Sequence, residues 1–113
     1  MKNNCPQVVV QNFFEPCILF LLLEKPSYGY DIQKQLKEKC TCEVNTGNLY
    51  RCLSRMQKLG YIERSGAKSE LGPKRYMYTI TESGKDYLNG WIISLEKQRK
   101  IISILINNYK KIL

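Results

Sequence analysis

Three observations predict a mainly α fold carrying a small β-hairpin. Three helical segments lie between residues 16 and 59, two short β-type runs follow across a Gly/Pro-containing loop, and one unbroken helical stretch begins at Thr81. Helix, helix, helix, hairpin is the order of a winged helix-turn-helix unit, and the last segment adds one long helix behind it. The expected division is a winged helix-turn-helix domain over residues 1–80 and a C-terminal helix over residues 81–113.

The first helix rests on Pro16, whose missing N–H costs nothing in a first turn, and on the run Cys17 to Leu23, apolar on nearly every face. A buried helix ending near Lys25 and Pro26 is expected. Ser27 offers a side-chain oxygen as the cap of a second helix. There Tyr28, Ile32 and Leu36 recur at i, i+4, i+8, while Asp31, Lys34 and Lys37 face elsewhere. Cys40 to Val44, rich in Thr, Val and Cys, reads as a short strand or extended turn. Asn45 or Thr46 caps the third helix, its apolar positions are Leu49, Cys52, Leu53, Met56 and Leu59, and Gly60 stops it.

Tyr61 to Arg64 and Tyr76 to Thr81 are the two β-type runs, the second alternating Tyr76, Tyr78 and Ile80 with Arg75, Met77 and Thr79. The polar loop from Ser65 to Lys74 holds Gly66, Gly72 and Pro73, so the pair reads as a hairpin with a long tip. From the Thr81 cap onward no proline interrupts the chain. Leu88, Leu95, Ile102 and Tyr109 repeat every seven residues, with Trp91, Leu105 and Ile112 three positions later and only Gln98 out of pattern. Such a stripe needs a partner, and a second copy of the chain in a symmetric dimer is the expected one. The expected dimer seam is thus Leu88, Trp91, Leu95, Ile102, Leu105, Tyr109 and Ile112.

Composition narrows the function. Net charge is +8, and the excess is concentrated, with seven basic against two acidic residues in 45–76 and five against one in 96–113. A clustered excess of this kind suits a polyanion, although a solvated face gives the same count. The longest apolar run is too short to span a bilayer, no secretory leader pattern is present, and a cytoplasmic protein is expected. The five cysteines are irregularly spaced and odd in number, which fits free thiols better than a disulfide framework. Histidine is absent, the carboxylates are scattered and no Gly-rich phosphate loop precedes a helix, so neither an enzyme nor a cofactor is expected.

The third helix carries the functional expectation. A helix-turn-helix unit sets its second helix in the major groove with the apolar side packed on the domain, and residues 46–59 have that character. Asn48, Arg51 and Arg55 fall at i, i+3, i+7 on one surface, with Lys58 and Tyr50 beside them. The hairpin tip adds Lys68, Lys74 and Arg75 for phosphates flanking the groove.

The segments Tyr28-Gly29-Tyr30-Asp31-Ile32, Gly47-Asn48-Leu49-Tyr50, Met56-Gln57-Lys58-Leu59-Gly60-Tyr61-Ile62, Lys74-Arg75-Tyr76 and Tyr78-Thr79-Ile80-Thr81-Glu82-Ser83-Gly84 resemble the PadR family of bacterial transcriptional regulators. The resemblance spans roughly residues 16–90. It implies a winged helix-turn-helix repressor that dimerises through its C-terminal helix and leaves its operator when a small molecule binds. The single C-terminal helix resembles the smaller branch of that family, where a tryptophan on this helix lines a ligand pocket. Trp91 is the residue to which that role would pass, besides its place in the seam. Residue reading and resemblance together give a DNA-facing set of Ser27, Tyr28, Tyr30, Asn45, Thr46, Asn48, Tyr50, Arg51, Arg55, Lys58, Lys68, Lys74 and Arg75. The implied partners are a pseudo-palindromic duplex, a second copy of the chain and a small hydrophobic or aromatic effector. Two rival readings share the fold: a winged-helix protein–protein adaptor, and a repressor sensing thiol oxidation or a metal through Cys40, Cys42 and Cys52.

Overall fold

The apolar run behind Pro16 forms α1 (Phe14–Glu24), with Pro16 in its first turn. Ile18, Leu19, Leu21 and Leu22 are enclosed, whereas Phe20 and Leu23 are about half exposed, so the helix is buried on one broad side rather than all round. The structure, a computed structural model, describes residues 13–40, 43–67 and 75–113. Cys5, Cys42, Lys68 and Lys74 lie outside the described residues.

Ser27 does not cap the second helix. It belongs to β1 (Ser27–Tyr28), is buried, and donates its hydroxyl to the Lys25 carbonyl at 3.4 Å. The cause is a distant strand: β1 pairs antiparallel with β3 (Arg75–Ile80), Ser27 opposite Tyr78 and Tyr28 opposite Met77. Helix α2 (Gly29–Cys40) starts directly afterwards and turns Ile32 and Leu36 inward. Cys40 ends α2 and residues 43–45 form no strand, which removes the strand alternative expected for Cys40 to Val44.

Asn45 caps α3 (Thr46–Lys58), its Oδ1 accepting the Asn48 N–H at 2.8 Å. The corner before it is held by Gln33, whose Nε2 donates to the Val44 carbonyl at 3.0 Å and to Thr46 Oγ1 at 3.4 Å. Gly60 ends the helix at φ +83°, a left-handed conformation that glycine adopts without a Cβ penalty. The N–H groups of Gly60 and Tyr61 return to the carbonyls of Gln57 and Met56, satisfying the last turn.

Strand β2 (Ile62–Ala67) runs further than the expected Tyr61 to Arg64 and pairs with β3 from Ile62 opposite Ile80 to Ala67 opposite Arg75. The sheet order is β1-β3-β2, three strands where a two-stranded hairpin is expected. Tyr78, Ile62, Leu49, Leu53 and Met56 close one core against α1 and α2.

Thr81 caps α4 (Glu82–Ile112): its Oγ1 accepts the Gly84 N–H at 3.0 Å and donates to the Gly60 carbonyl at 2.6 Å. The first turns of α4 pack on α1. Leu88, expected in a seam between copies, is 5% exposed and forms part of the chain's own core, so it leaves the expected seam. Tyr87, Trp91 and Leu95 are half-buried, and every side chain from residue 96 onward is exposed. At 31 residues α4 is about 46 Å long. A compact chain of this length has a radius of gyration of about 13 Å; the observed 17.6 Å reflects the distal half of α4 standing away from the core.

Candidate nucleic-acid interface

With Leu49, Leu53 and Met56 turned inward, the opposite ridge of α3 is Gly47, Arg51, Ser54 and Lys58, all exposed. Asn48 and Arg55 flank that ridge on the side of α1. They share a shallow depression of about 320 Å³ with Arg51, Phe14, Glu15 and Cys52, so Asn48, Arg51 and Arg55 do lie on one surface. Tyr50 flanks the ridge on the other side, facing β3 and the start of α2. Thr46 and Asn45 are exposed at the helix start, where the unpaired N–H groups and helix dipole favour an anion.

The cations differ in availability. Among the described residues, neither Arg51 nor Lys58 is paired with a carboxylate. Arg55 is: its guanidinium forms an ion pair with Oε2 of Glu15, which is buried at the start of α1. The other carboxylate oxygen of Glu15 accepts the Tyr87 hydroxyl at 3.0 Å, and Tyr87 stacks on Tyr61 with ring centroids 4.1 Å apart. One carboxylate thus ties α1, α3 and α4 together.

A second group gathers where α2, α3 and the wing meet. Tyr28 and Tyr30 stack with centroids 6.2 Å apart, and the Arg75 guanidinium lies 5.7 Å from the Tyr30 ring. With Gly29, Tyr50, Tyr76 and Tyr78 they line a cleft of about 330 Å³. Gly29 admits the Tyr50 ring against the start of α2, since a Cβ there would sit 2.6 Å from the Tyr50 hydroxyl oxygen. Arg64 lies 4.1 Å over the Tyr76 ring. Burial pushes the Tyr78 phenol above its ordinary value, opposed by the hydrogen bond from Arg64. Ser27 is only 4% exposed and is removed from the expected DNA-facing set, because its side chain is enclosed behind this cleft's strand.

On α4, Trp91 borders an open surface of about 420 Å³ with Asp86, Tyr87, Gly90 and Ser94. Further out, Ile102, Leu105, Tyr109 and Ile112 are exposed, joined by Ile101, Ile104 and Ile106, so the apolar surface is wider than the heptad positions alone. Burial pushes the Cys52 thiol up to about 11, which keeps it protonated near neutrality and makes it a poor nucleophile or metal ligand. Among the described residues no three His, Cys, Asp or Glu side chains come together to hold a metal. No helix among them is long and apolar enough to cross a membrane.

Sequence reasoning missed Glu15 and Tyr87. Glu15, just before Pro16, gives no local signal of burial, because a carboxylate in the first turn of a helix is ordinarily favoured there.

A family model described as "Transcriptional regulator PadR-like family" matches residues 18–90. A PadR-like transcriptional regulator from Bacillus cereus is 32% identical, with 86% of this chain and 94% of that chain covered and a TM-score of 0.74. The structure of Bacillus subtilis PadR in complex with operator DNA is 28% identical over 73% of this chain and 48% of that one, with a TM-score of 0.67. An uncharacterized protein from Lysinibacillus sphaericus is 28% identical over 100 residues, which is 87% of this chain and 92% of the relative.

Proposed function

The chain belongs to the PadR-like family of transcriptional regulators, and on that premise we propose that it binds operator DNA as a homodimer and represses transcription until a small hydrophobic or aromatic effector releases it. The carrying observation is the outer ridge of α3, where Arg51 and Lys58 are exposed and, among the described residues, unpaired by carboxylate, while Leu49, Leu53 and Met56 fix the helix beneath them. The major groove, about 12 Å wide, admits one such helix. Arg51, near the centre of the ridge with Asn48 beside it, reaches base edges. Lys58, Thr46, Asn45 and the tyrosines Tyr28, Tyr30 and Tyr50 serve the flanking phosphates, as do Arg75 and the wing-tip Lys68 and Lys74. The similarity to a PadR chain captured with operator DNA supports the same docking.

The distal half of α4 supports the dimer. Most helical stability in proteins comes from packing of an apolar face, and here that face displays Ile102, Leu105 and Ile112 to solvent, the last two 69% and 85% exposed. Each such side chain contributes about 1.5–3 kcal/mol when fully buried against a second copy. Two-fold symmetry then presents α3 twice and calls for a pseudo-palindromic operator. The effector's place is the Trp91 surface, where a shift of α4 against its partner would alter the spacing of the two α3 helices. Such a regulator acts in the cytoplasm, on the chromosome.

The experiment is fluorescence anisotropy on the DNA upstream of the protein's own gene at several salt concentrations. Lys58→Ala is expected to flatten the slope of log affinity against log salt by about 1.8, one phosphate for each protomer. Arg51→Ala is expected to lose discrimination against unrelated DNA by about 1–3 kcal/mol for each base contact removed. Absence of a specific complex at every salt concentration overturns the reading.

A further inference from the structure

Arg55 is a cation at the rim of the proposed DNA face that already has an anion of its own. Its side chain is 55% exposed, whereas the Glu15 carboxylate it pairs with is enclosed. Glu15 cannot swing away to solvent as a surface partner would. Oε1 is fixed by the Tyr87 hydroxyl at 3.0 Å, and the carboxylate is carried by the packed first turn of α1. A DNA phosphate approaching Arg55 therefore competes with a buried, preoriented carboxylate for one guanidinium, and the pair as a whole offers the duplex no net charge. Arg51 and Lys58, on the same helix, face no such competition among the described residues.

We propose that Glu15 is a positioning residue for operator binding, which withholds Arg55 from the DNA backbone and so limits how many phosphates each α3 neutralises. The inference rests on the reading of α3 as the DNA-binding helix. Tyr87 orients the carboxylate from α4 but does not supply the charge. Withholding Arg55 in this way weakens binding to operator and random DNA alike, because phosphate contacts add to both and distinguish neither.

The test is the salt dependence of operator binding by the full chain. Freeing one arginine in each protomer adds two phosphate contacts to a dimer, and each contact steepens the slope by about 0.9. Glu15→Gln is therefore expected to steepen it by about 1.8 and to raise affinity for operator and unrelated DNA by about the same factor. Glu15→Leu fills the same enclosed site with an apolar side chain and is expected to give the same slope, so the measurement does not hang on one variant folding. Adding Arg55→Ala to either variant is expected to restore the original slope. An unchanged slope in folded Glu15→Gln or Glu15→Leu overturns the proposal, as does a steepened slope that survives Arg55→Ala. Failure of the unsubstituted chain to bind any operator is a different result, and removes the DNA-binding reading together with its corollary.

Discussion

Replacing Gly84 with alanine tests the joint between the wing and the long helix. A Cβ at residue 84 would lie 2.1 Å from the Tyr61 carbonyl oxygen and 2.8 Å from Ile80 Cγ1. Close carbon–oxygen contacts sit near 3.3 Å, so α4 must retreat by about 1 Å. The same carbonyl accepts the Thr81 N–H at 3.0 Å, and Thr81 also bonds the Gly60 carbonyl, so retreat strains the cap as well. Overpacking of this kind costs about 1–3 kcal/mol, and a weakened hydrogen bond about 0.5–1.5 kcal/mol. Alanine's better helix propensity returns about 1 kcal/mol. The net loss is about 0.5–3.5 kcal/mol, or about 2–15 °C in Tm for a chain of this length. Gly90, on the same helix, has nothing within 4 Å of its virtual Cβ. Gly90→Ala is therefore expected to gain up to about 1 kcal/mol from helix propensity. Circular dichroism melts at 222 nm, all at one protomer concentration because the proposed dimerisation would make Tm concentration-dependent, read both. A Gly84→Ala melt at or above that of the unsubstituted chain would refute the packing argument.

Asn45→Ala removes the acceptor for the Asn48 N–H and is expected to cost about 0.5–2 kcal/mol, whereas Asn45→Gly costs only a few tenths; urea melts of the two distinguish a cap from a mere surface residue. Leu105→Glu, on the distal part of α4, is expected to halve the mass found by analytical ultracentrifugation without unfolding the core, since its side chain touches none of that core. Operator affinity is expected to fall with it. Cys52 should label slowly with iodoacetamide at pH 8 and progressively faster toward pH 11, because its thiol is raised above the ordinary value. The same shift means that folding favours the protonated thiol, so this contribution to stability is intact below about pH 9 and lost as pH rises toward 11; a Cys52→Ala chain should lack that part of the alkaline decline.

Helix α3 was legible because its ends are written locally, in the Asn45 cap and in Gly60, and because its apolar spacing admits one inward face. The start of α4 was legible for the same reason at Thr81. Strand β1 was not, since two residues have no pattern of their own and are extended only because β3, far along the chain, pairs with them. Ser27 before a helical pattern looks like a cap whether or not such a strand intervenes. Leu88 has the right heptad spacing for a seam between copies, but spacing does not tell whether the covering surface is another chain or α1 of the same one. The third-helix cations were read correctly as one surface. Their inequality was hidden, because Glu15 and Arg55 are 40 residues apart and meet only after α1 and α3 have packed.

Two α3 helices offered by a two-fold pair are the account's central claim, and hydroxyl-radical footprinting on the upstream DNA tests it most directly. Two protected patches, centred about 10–10.5 base pairs apart or a multiple of that on one face of the duplex, are the predicted result. A single protected patch, or protection with no sequence preference at any salt concentration, would contradict it.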